Sequence, residues 1–312
     1  MKPYFSVIIP LYNKEKHIEQ TIQSVLNQSF NEFEIIIVDD GSTDNSLNIV
    51  SQFNSSKIKI IKQSNKGAGA ARNTGIKHAK ADYIALLDGD DCWYSDHLSE
   101  LIKQIELFPE AGLYCNNYEV LYSKSNCKKA KFNFHFDKEC VIVKDYFKAS
   151  IINSVAWTSS VGFSKLKFNS LGGFDSNLKT AQDLDLWIRF ALNHLVSFNP
   201  KITMTYKLFV DNSLSKNEFN LIRYDFINSY SEEENKNPSL KLYLDINRYA
   251  VALRSKINGE IDLYNKLKNE IDFRNLNPKQ KILIGLPVSI LRIFKKIYQI
   301  LINRNLYISS YS

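Results

Sequence analysis

Four consecutive residues, Asp88-Gly89-Asp90-Asp91, place three carboxylates in one short segment. Carboxylates crowded in this way repel one another unless a cation lies among them. A hard divalent ion such as Mg²⁺ or Mn²⁺ takes oxygen ligands, and it commonly links carboxylates to substrate phosphates. Gly89 permits a tight turn between its neighbours. The segment therefore predicts a metal and diphosphate site, with a solvated acidic loop, or a helix cap at Asp91, as the alternative.

Three further groups of side chains earlier in the chain have the chemistry needed to bind a nucleotide. Asp39 and Asp40 can accept hydrogen bonds from a base or a ribose hydroxyl, although Asp-Gly followed by Ser and Thr is also good turn chemistry. Tyr12, two residues after Pro10, offers a ring on which a base could stack, or it is a boundary tyrosine with its hydroxyl in water. Arg72 follows a run of small residues suited to close helix packing, and it can reach a diphosphate or a neighbouring carboxylate.

A candidate general base lies in the second half of the chain. Asp183 follows a Gly-Gly-Phe-Asp segment at 172–175 and begins a stretch in which Leu184, Trp187 and Ile188 recur at helical spacing. A carboxylate at that position could remove a proton from a hydroxyl. The alternative is an acidic residue that the helix dipole favours at a helix N-terminus.

Alternating strand and helix patterns are predicted to position these groups. Apolar runs predict strands near 7–9, 34–38, 58–61 and 83–87, with helices between them, the second capped by Ser42 or Thr43. Such alternation predicts an α/β fold with a largely parallel, right-handed sheet covered by helices on both faces. Ligands of these sheets bind beyond the carboxyl ends of the strands. The segments 10–13, 39–42 and 88–91 all follow predicted strands, so we expect them to converge at one edge.

Composition limits the classes of protein and of binding partner that fit this chain. The chain has 312 residues, of which 44% are hydrophobic, so a sizeable core can be buried. The net charge of +7 fits anionic partners such as nucleotides or acidic lipid surfaces, but no long run of Lys and Arg indicates nucleic acid. The four cysteines form no C-x-x-C pair, which is typical of reduced thiols in a cytoplasmic protein. The segment Gly67–Asn73 is not a dinucleotide fingerprint, and the absence of a P-loop motif excludes a P-loop nucleotide hydrolase.

The C-terminal third changes in character. Charge, asparagine and helical patterning increase from about residue 216, which predicts a catalytic domain over 1–215 and a helical region over 216–312. A basic amphipathic helix is predicted at about 282–304, and its apolar face could dock on an anionic membrane surface or pack within protein. No uncharged apolar stretch is long enough to span a bilayer, and the N-terminus lacks signal-peptide features. We therefore expect a cytoplasmic protein, which would be peripheral on the inner face of the cell membrane if this helix docks on lipid.

Taken in order, the motifs resemble glycosyltransferase family 2. The matching stretches are Ser-Val-Ile-Ile-Pro-Leu-Tyr-Asn at 6–13, Val-Asp-Asp-Gly-Ser at 38–42, Gly-Ala-Ala-Arg-Asn at 69–73, Leu-Asp-Gly-Asp-Asp at 87–91, and Gln-Asp-Leu-Asp-Leu-Trp at 182–187. The resemblance covers about residues 4–200. It implies a GT-A fold, a nucleotide-binding α/β sandwich, to which the predicted helical C-terminal region would be an extension. It also implies inverting transfer from a nucleotide-diphosphate sugar, most often a UDP-sugar.

The resemblance also implies roles for individual residues. Tyr12 would stack on the base, Asp40 and Asp39 would hold it, and Arg72 would support the base and diphosphate side. Asp88 would contact the sugar or ribose, Asp90 would bind Mn²⁺ or Mg²⁺, and Asp183 would be the catalytic base. Pro10 and Gly89 belong to the nucleotide-sugar motifs. Gln182 stands where many members carry Glu.

The expected acceptor is a saccharide or a lipid-linked saccharide, as in the assembly of lipopolysaccharide, O-antigen or capsule. Two alternatives remain, namely a sugar-phosphate nucleotidyltransferase on a related fold and a non-catalytic α/β binding module. The first should carry a glycine-rich phosphate loop after strand one, where this chain has Pro-Leu-Tyr-Asn-Lys at 10–14.

Overall fold

A computed structural model of the protein describes residues 2–123, 126–208 and 219–303. A single ten-stranded sheet forms its centre. The strands are β1 (Phe5–Leu11), β2 (Phe33–Asp39), β3 (Ile58–Lys62), β4 (Tyr83–Leu86), β5 (Cys92–Trp93), β6 (Leu113–Ser123), β7 (Asn126–Lys129), β8 (Val141–Ile142), β9 (Val161–Ser164) and β10 (Val196–Lys207).

Strand order follows the predicted α/β topology in the N-terminal half. The order along the sheet is β3-β2-β1-β4-β9-β6-β10-β5, with β7 beside β6 and β8 beside β10. Strands β3, β2, β1 and β4 are mutually parallel, and β10 is parallel to β6. Strand β9 runs antiparallel to both of its neighbours. The short strands β5 and β8 are antiparallel to β10, and β7 is antiparallel to β6. The mainly parallel α/β sheet is confirmed for its central strands, with the reversed strand β9 near its middle.

Helices cover the sheet and form the C-terminal region. In the N-terminal part they are α1 (Ile18–Leu26), α2 (Ser46–Ser51), α3 (Ala68–His78), α4 (His97–Leu107), α5 (Tyr146–Ala149), α6 (Lys165–Ser170) and α7 (Gln182–Asn193). The C-terminal helices are α8 (Asn220–Asn228), α9 (Ser231–Lys236), α10 (Pro238–Asn258), α11 (Ile261–Glu270), α12 (Pro278–Gly285) and α13 (Val288–Asn303).

Two apolar clusters cover the two faces of the sheet. Val7 and Ile9 of β1 belong to one cluster and Ile8 to the other, because successive strand side chains point to opposite faces. The cluster that contains Ile8 continues to Leu240 and Leu244 of α10. The C-terminal helices therefore share a core with the sheet. The predicted boundary between residues 215 and 216 lies outside the described residues.

The predicted cap of the second helix is wrong. Helix α2 begins at Ser46, with Asn45 in the capping position, rather than after Ser42 or Thr43. Both of those residues are held by the loop after β1 instead. The backbone N–H of Asn13 donates to Ser42 Oγ at 3.2 Å, and Thr43 N–H donates to Asn13 Oδ1 at 2.8 Å.

Two further helix boundaries differ from the prediction. Asp91 does not cap a helix, since α4 begins at His97 with Asp96 before it. The single helix predicted at about 282–304 is two helices, and residue 304 lies outside the described residues. Pro287 separates them because it has no N–H to donate and restricts Leu286 to an extended conformation, with ψ 148°.

Candidate active site

The three polar segments converge at the carboxyl ends of neighbouring strands. Leu11 at the end of β1 pairs with Asp39 at the end of β2, and β4 lies on the other side of β1. A Cβ atom added to Gly89 would lie 3.2 Å from the carbonyl oxygen of Pro10, so the turn after β4 rests directly on the end of β1. Side chains from three strand ends can therefore meet one ligand.

Asp40 organises the loop that leads into α3. Its side chain is 3% exposed. Oδ1 accepts from Gln63 Nε2 at 2.7 Å and from Lys66 N–H at 2.9 Å, and Oδ2 accepts from Gly67 N–H at 2.8 Å. A carboxylate has about four lone-pair sites, so about one remains for a ligand. Asp39 is also buried, and it accepts from Ser42 N–H at 3.2 Å.

Tyr12 is the exposed aromatic side chain at this edge. Its side chain is 45% exposed. The next residue, Asn13, adopts a left-handed conformation with φ 51°, which Asn tolerates better than most residues. Its hydrogen bonds to Ser42 and Thr43 hold the loop in place. The ring of Tyr12 therefore stands on a fixed backbone with a face open to a planar ligand.

The structure gives the three carboxylates of the acidic turn different partners. Arg72 Nη2 donates to Asp88 Oδ1 at 2.6 Å. Lys14 Nζ donates to Asp90 Oδ2 at 2.6 Å, and both side chains are partly exposed. Asp91 is buried, and its Oδ2 accepts from Ser159 Oγ at 2.6 Å. Burial and the neighbouring carboxylates raise the pKa of Asp91 well above its usual value. The environment of Asp91 therefore disfavours the charged form of its side chain.

The donor set of this turn limits the kind of metal site it could form. Among the described residues, no group of three or more His, Cys, Asp or Glu side chains is arranged around a common point. An all-protein cage therefore does not fit. Mg²⁺ and Mn²⁺ are often bound through one or two carboxylates plus substrate phosphates, and Asp88 and Asp90 fit that arrangement. Lys14, which the sequence interpretation missed, holds a positive charge beside Asp90.

Arg72 connects the acidic turn to the Gly-Gly-Phe-Asp segment. Besides its ion pair with Asp88, its guanidinium carbon lies 5.4 Å from the ring centre of Phe174. The neighbouring Asn73 exchanges two hydrogen bonds with the backbone of Phe174, at 2.8 and 3.0 Å. The buried Nε of Arg72 has no hydrogen-bond partner among the described residues.

Asp183 lies in the first turn of α7 and is half-buried. Its Oδ1 accepts from Leu184 N–H at 2.9 Å, and its Oδ2 faces Thr158 Oγ1 at 3.4 Å. Ala181, the residue that caps the helix, has the left-handed φ of 60°, which is unusual outside glycine. This strained backbone conformation at the start of α7 sets the direction in which Asp183 points.

A short helical turn at Thr158–Ser160 joins the candidate base to the acidic turn. Thr158 contacts Asp183, and Ser159 Oγ accepts from Asp88 N–H at 3.0 Å while donating to Asp91. The segments are 71 residues apart in sequence. The sequence interpretation missed Thr158 and Ser159, since isolated serines and threonines carry no distinguishing spacing.

Gln182 packs against the start of α3. A Cβ atom added to Gly69 would lie 3.2 Å from Gln182 Cδ, so glycine permits this close approach. Gln182 Nε2 donates to Leu178 O at 2.5 Å. The side chain thus connects the first turn of α3 to the helix that carries Asp183.

Two residues of the C-terminal helices interact electrostatically with the candidate base. Burial raises the pKa of Tyr243 on α10 well above its usual value, and the charge of Asp183 raises it further. Asp183 also acts on Arg223 of α8, whose pKa it raises against the opposing effect of burial. Both residues escaped the sequence interpretation, which ended its site before residue 200.

Comparison with known proteins identifies the family of the region that carries the acidic turn and the other strand-end residues. The sequence model described as Glycosyl transferase family 2 matches residues 6–166. A putative teichuronic acid biosynthesis glycosyltransferase, TuaG of Bacillus subtilis, is 31% identical over 223 residues, covering 70% of this chain and 84% of that protein. Uncharacterized glycosyltransferases of Rickettsia prowazekii and Rickettsia typhi are 28% and 30% identical. This chain spans 64% and 62% of their lengths.

A solved structure with the same fold is that of S. aureus TarS 1-349 in complex with UDP-GlcNAc. The alignment covers 99% of this chain and 93% of that one, with a TM-score of 0.63 and 22% sequence identity. At this level of identity the similarity concerns the fold.

Proposed function

The chain belongs to glycosyltransferase family 2, and from this membership we propose that it transfers a sugar from a UDP-sugar to a saccharide hydroxyl with inversion at the anomeric carbon. The observation that carries the proposal is the link between two groups of residues. The nucleotide-facing side chains at the strand ends are joined to Asp183 through Thr158 and Ser159. The sites for the donor and for the acceptor can therefore lie next to each other at one edge of the sheet.

The donor base would stack on the exposed ring of Tyr12 and bind the remaining acceptor site of Asp40. Asp39 holds the backbone beside that site through Ser42. A solved relative by fold, TarS, was crystallised in complex with UDP-GlcNAc and with UDP, which supports a nucleotide-sugar donor for this chain. Pro10 and Gly89 would form the floor between the base and the sugar.

Asp90 would hold Mn²⁺ or Mg²⁺, with Asp88 beside it. When bound, such an ion offsets the negative charge of a leaving diphosphate. Arg72 would serve the same diphosphate, because its Nε is unused and its Nη2 is already held by Asp88. Preorganised donors of this kind stabilise charge as it develops, since they need no rearrangement during the reaction.

Asp183 would act on the acceptor. Its carboxylate removes the proton from the attacking hydroxyl as the new glycosidic bond forms and the bond to the diphosphate breaks. One oxygen is held by Leu184 N–H, which leaves Oδ2 to face the acceptor beside Thr158. A single displacement of this kind inverts the anomeric configuration.

The acceptor is proposed to be a saccharide or lipid-linked saccharide in bacterial surface polysaccharide assembly, such as lipopolysaccharide, O-antigen or capsule. The relative TuaG, described as a putative teichuronic acid biosynthesis enzyme, supports a polysaccharide pathway. A lipid-linked acceptor would require the enzyme to work beside a membrane.

Helix α13 is proposed to dock on an anionic lipid surface at the inner face of the cell membrane. Ile290, Ile293, Phe294 and Ile297 are between 38% and 55% exposed, and two lysines lie beside them at 295–296. Among the helices of the described ranges, none combines the length and apolar character needed to cross a bilayer. Basic charge next to an exposed apolar face suits binding to the surface of anionic lipid.

Vesicle sedimentation tests the docking proposal. The full chain should sediment with phosphatidylglycerol vesicles and lose that binding when Ile293 and Phe294 are both replaced by Ser. Sedimentation that is unchanged in the variant contradicts it, as does concentration-dependent dimerisation through the same face without lipid binding.

A donor screen tests the catalytic proposal. The protein should hydrolyse or transfer from at least one of UDP-Glc, UDP-Gal, UDP-GlcNAc and UDP-GalNAc in the presence of Mn²⁺, releasing UDP. Release of pyrophosphate from a nucleoside triphosphate and a sugar phosphate would instead identify a nucleotidyltransferase. Binding of UDP without turnover of any donor would indicate a non-catalytic module.

A further inference from the structure

Lys14, in the loop between β1 and α1, is the partner of Asp90 in the structure. Its Nζ donates to Asp90 Oδ2 at 2.6 Å, and the two side chains are only 17% and 16% exposed. Within the part of the chain that the structure describes, neither side chain makes another hydrogen bond or ion pair. The carboxylate proposed to hold a divalent cation is therefore neutralised by a cation of the chain itself.

The backbone of Lys14 is fixed beside the acidic turn. Its N–H donates to Ser46 Oγ at 2.7 Å, and its carbonyl oxygen accepts from the N–H groups of His17 and Ile18, both at 2.9 Å. A Cβ atom added to Gly89 would lie 3.5 Å from Lys14 Cγ, so the stem of the lysine lies over the turn. The ammonium is thus at the end of a flexible four-carbon stem whose base is held in place.

The neighbouring carboxylate has a less mobile partner. Arg72, which pairs with Asp88, is buried, and its guanidinium also lies against the ring of Phe174. A planar guanidinium held on two sides cannot leave its carboxylate without losing both contacts. The ammonium of Lys14 is a compact charge that can exchange one anionic partner for another by rotation of its own side chain. Asp90 is therefore the carboxylate of this turn whose partner can be exchanged most easily.

A divalent cation at Asp90 and the ammonium of Lys14 exclude one another. Both would bind the same carboxylate, and like charges at such short separation repel strongly where access of water is restricted. The diphosphate of a nucleotide offers the ammonium another anionic partner, with strong charge-assisted hydrogen bonds. A bound diphosphate therefore favours the release of Asp90 by Lys14.

We propose that Lys14 is a displaceable counter-ion that couples metal binding to donor binding: it occupies Asp90 in the empty site and transfers to the donor diphosphate when Asp90 takes the divalent cation. The inference rests on the proposed function, because it assigns Lys14 a role at the proposed metal and diphosphate site. Both ligands favour the state in which Lys14 has left Asp90. Each ligand therefore strengthens the binding of the other by the same factor.

Two affinities of the full-length protein test this role. The affinity for Mn²⁺ without nucleotide is measured by electron paramagnetic resonance of the free ion, and the affinity for UDP at saturating Mn²⁺ by calorimetry. Lys14→Met removes the ammonium and keeps the length of the stem. It should raise the Mn²⁺ affinity and lower the UDP affinity, each by about 10- to 100-fold, the range expected for a hydrogen bond to a charged group. A lysine that only supported the structure of the turn would lower both affinities when replaced.

Lys16→Met is the matched control, because Lys16 is an exposed lysine of the same loop, and its replacement removes the same charge. This variant should have both affinities of the wild type. If Lys14→Met does not fold, Lys14→Gln, which also removes the charge but keeps a polar end, provides the same comparison.

Three results would overturn the inference. One is Mn²⁺ affinity without nucleotide that is unchanged or reduced in the Lys14 variant. Another is UDP affinity at saturating Mn²⁺ that equals that of the wild type. The third is a wild-type protein and a variant that both fail to bind Mn²⁺, with or without UDP. Failure of the proposed function appears separately, as a lack of donor turnover by a protein that binds Mn²⁺ and UDP, and leaves the two affinities interpretable.

Discussion

Replacing Asp183 by Asn tests the assignment of the base. The amide has nearly the shape of the carboxylate, so its oxygen can still accept from Leu184 N–H and its other end still meets Thr158. The strained backbone at Ala181 precedes the change and is unaffected. The fold and the nucleotide side of the site should therefore be preserved, while the ability to take a proton is lost.

The expected loss can be stated as a free energy. Removal of a general base typically lowers the rate about 10²–10⁴-fold, which corresponds to about 3 to 5 kcal/mol of transition-state stabilisation. The affinity for UDP should change by less than about twofold, because the residues proposed to bind the nucleotide are on other elements. The effect should appear in kcat rather than in the binding of the donor.

The assay measures UDP released during transfer and UDP affinity by calorimetry. Asp262→Asn is a matched control, since Asp262 is an exposed carboxylate in the first turn of α11, a position similar within its helix. Transfer by Asp183→Asn at the wild-type rate would refute the assignment of the base. An equal loss of UDP affinity and rate would instead indicate that Asp183 supports the structure of the nucleotide site.

Three other predictions address the metal, the packing and the pH dependence of stability. Asp90→Ala should remove the part of UDP affinity that depends on Mn²⁺. Calorimetry with and without the ion measures this part, and metal-dependent binding that survives in the variant would contradict the prediction. Gly75→Ala should destabilise the protein by about 1 to 3 kcal/mol in urea unfolding, because the new Cβ would lie 2.5 Å from Ile8 Cγ2. The control is Gly285→Ala, which should be nearly neutral because its new Cβ meets no atom within 4 Å. His97 is buried and its pKa is lowered to about 3, so below pH 6.5 the unfolded chain takes up a proton that the folded protein excludes. The free energy of unfolding should fall by about 2 kcal/mol from this group between pH 6.5 and 5, and a His97→Gln variant with the same pH dependence as the wild type would contradict this.

The order of strands and helices was predictable from local patterns. Apolar runs such as that at 35–38 and helical spacing such as that at 18, 22 and 25 depend only on which side chains face the core. The rule that ligands bind beyond the carboxyl ends of parallel strands then predicted that Tyr12, Asp40 and Asp88 lie at one edge. The structure has these residues at that edge, while their individual roles stay predictions.

The boundaries of helices were less predictable, because capping depends on competing partners. Ser42 and Thr43 are good capping residues by type, but Asn13 from a distant loop takes their hydrogen bonds. Pro287 divides the predicted terminal helix, although the apolar spacing on either side continues.

By itself, the sequence determined the fold class and the strand ends that carry the acidic turn, because both follow from periodic patterns within short segments. Only the tertiary structure decided which partner each carboxylate of that turn has. Lys14 reaches Asp90 across 76 residues of sequence, Ser159 reaches Asp91 across 68, and Thr158 reaches Asp183 across 25. These pairings depend on how loops and helices pack across the sheet edge, and no local spacing of residues encodes such contacts.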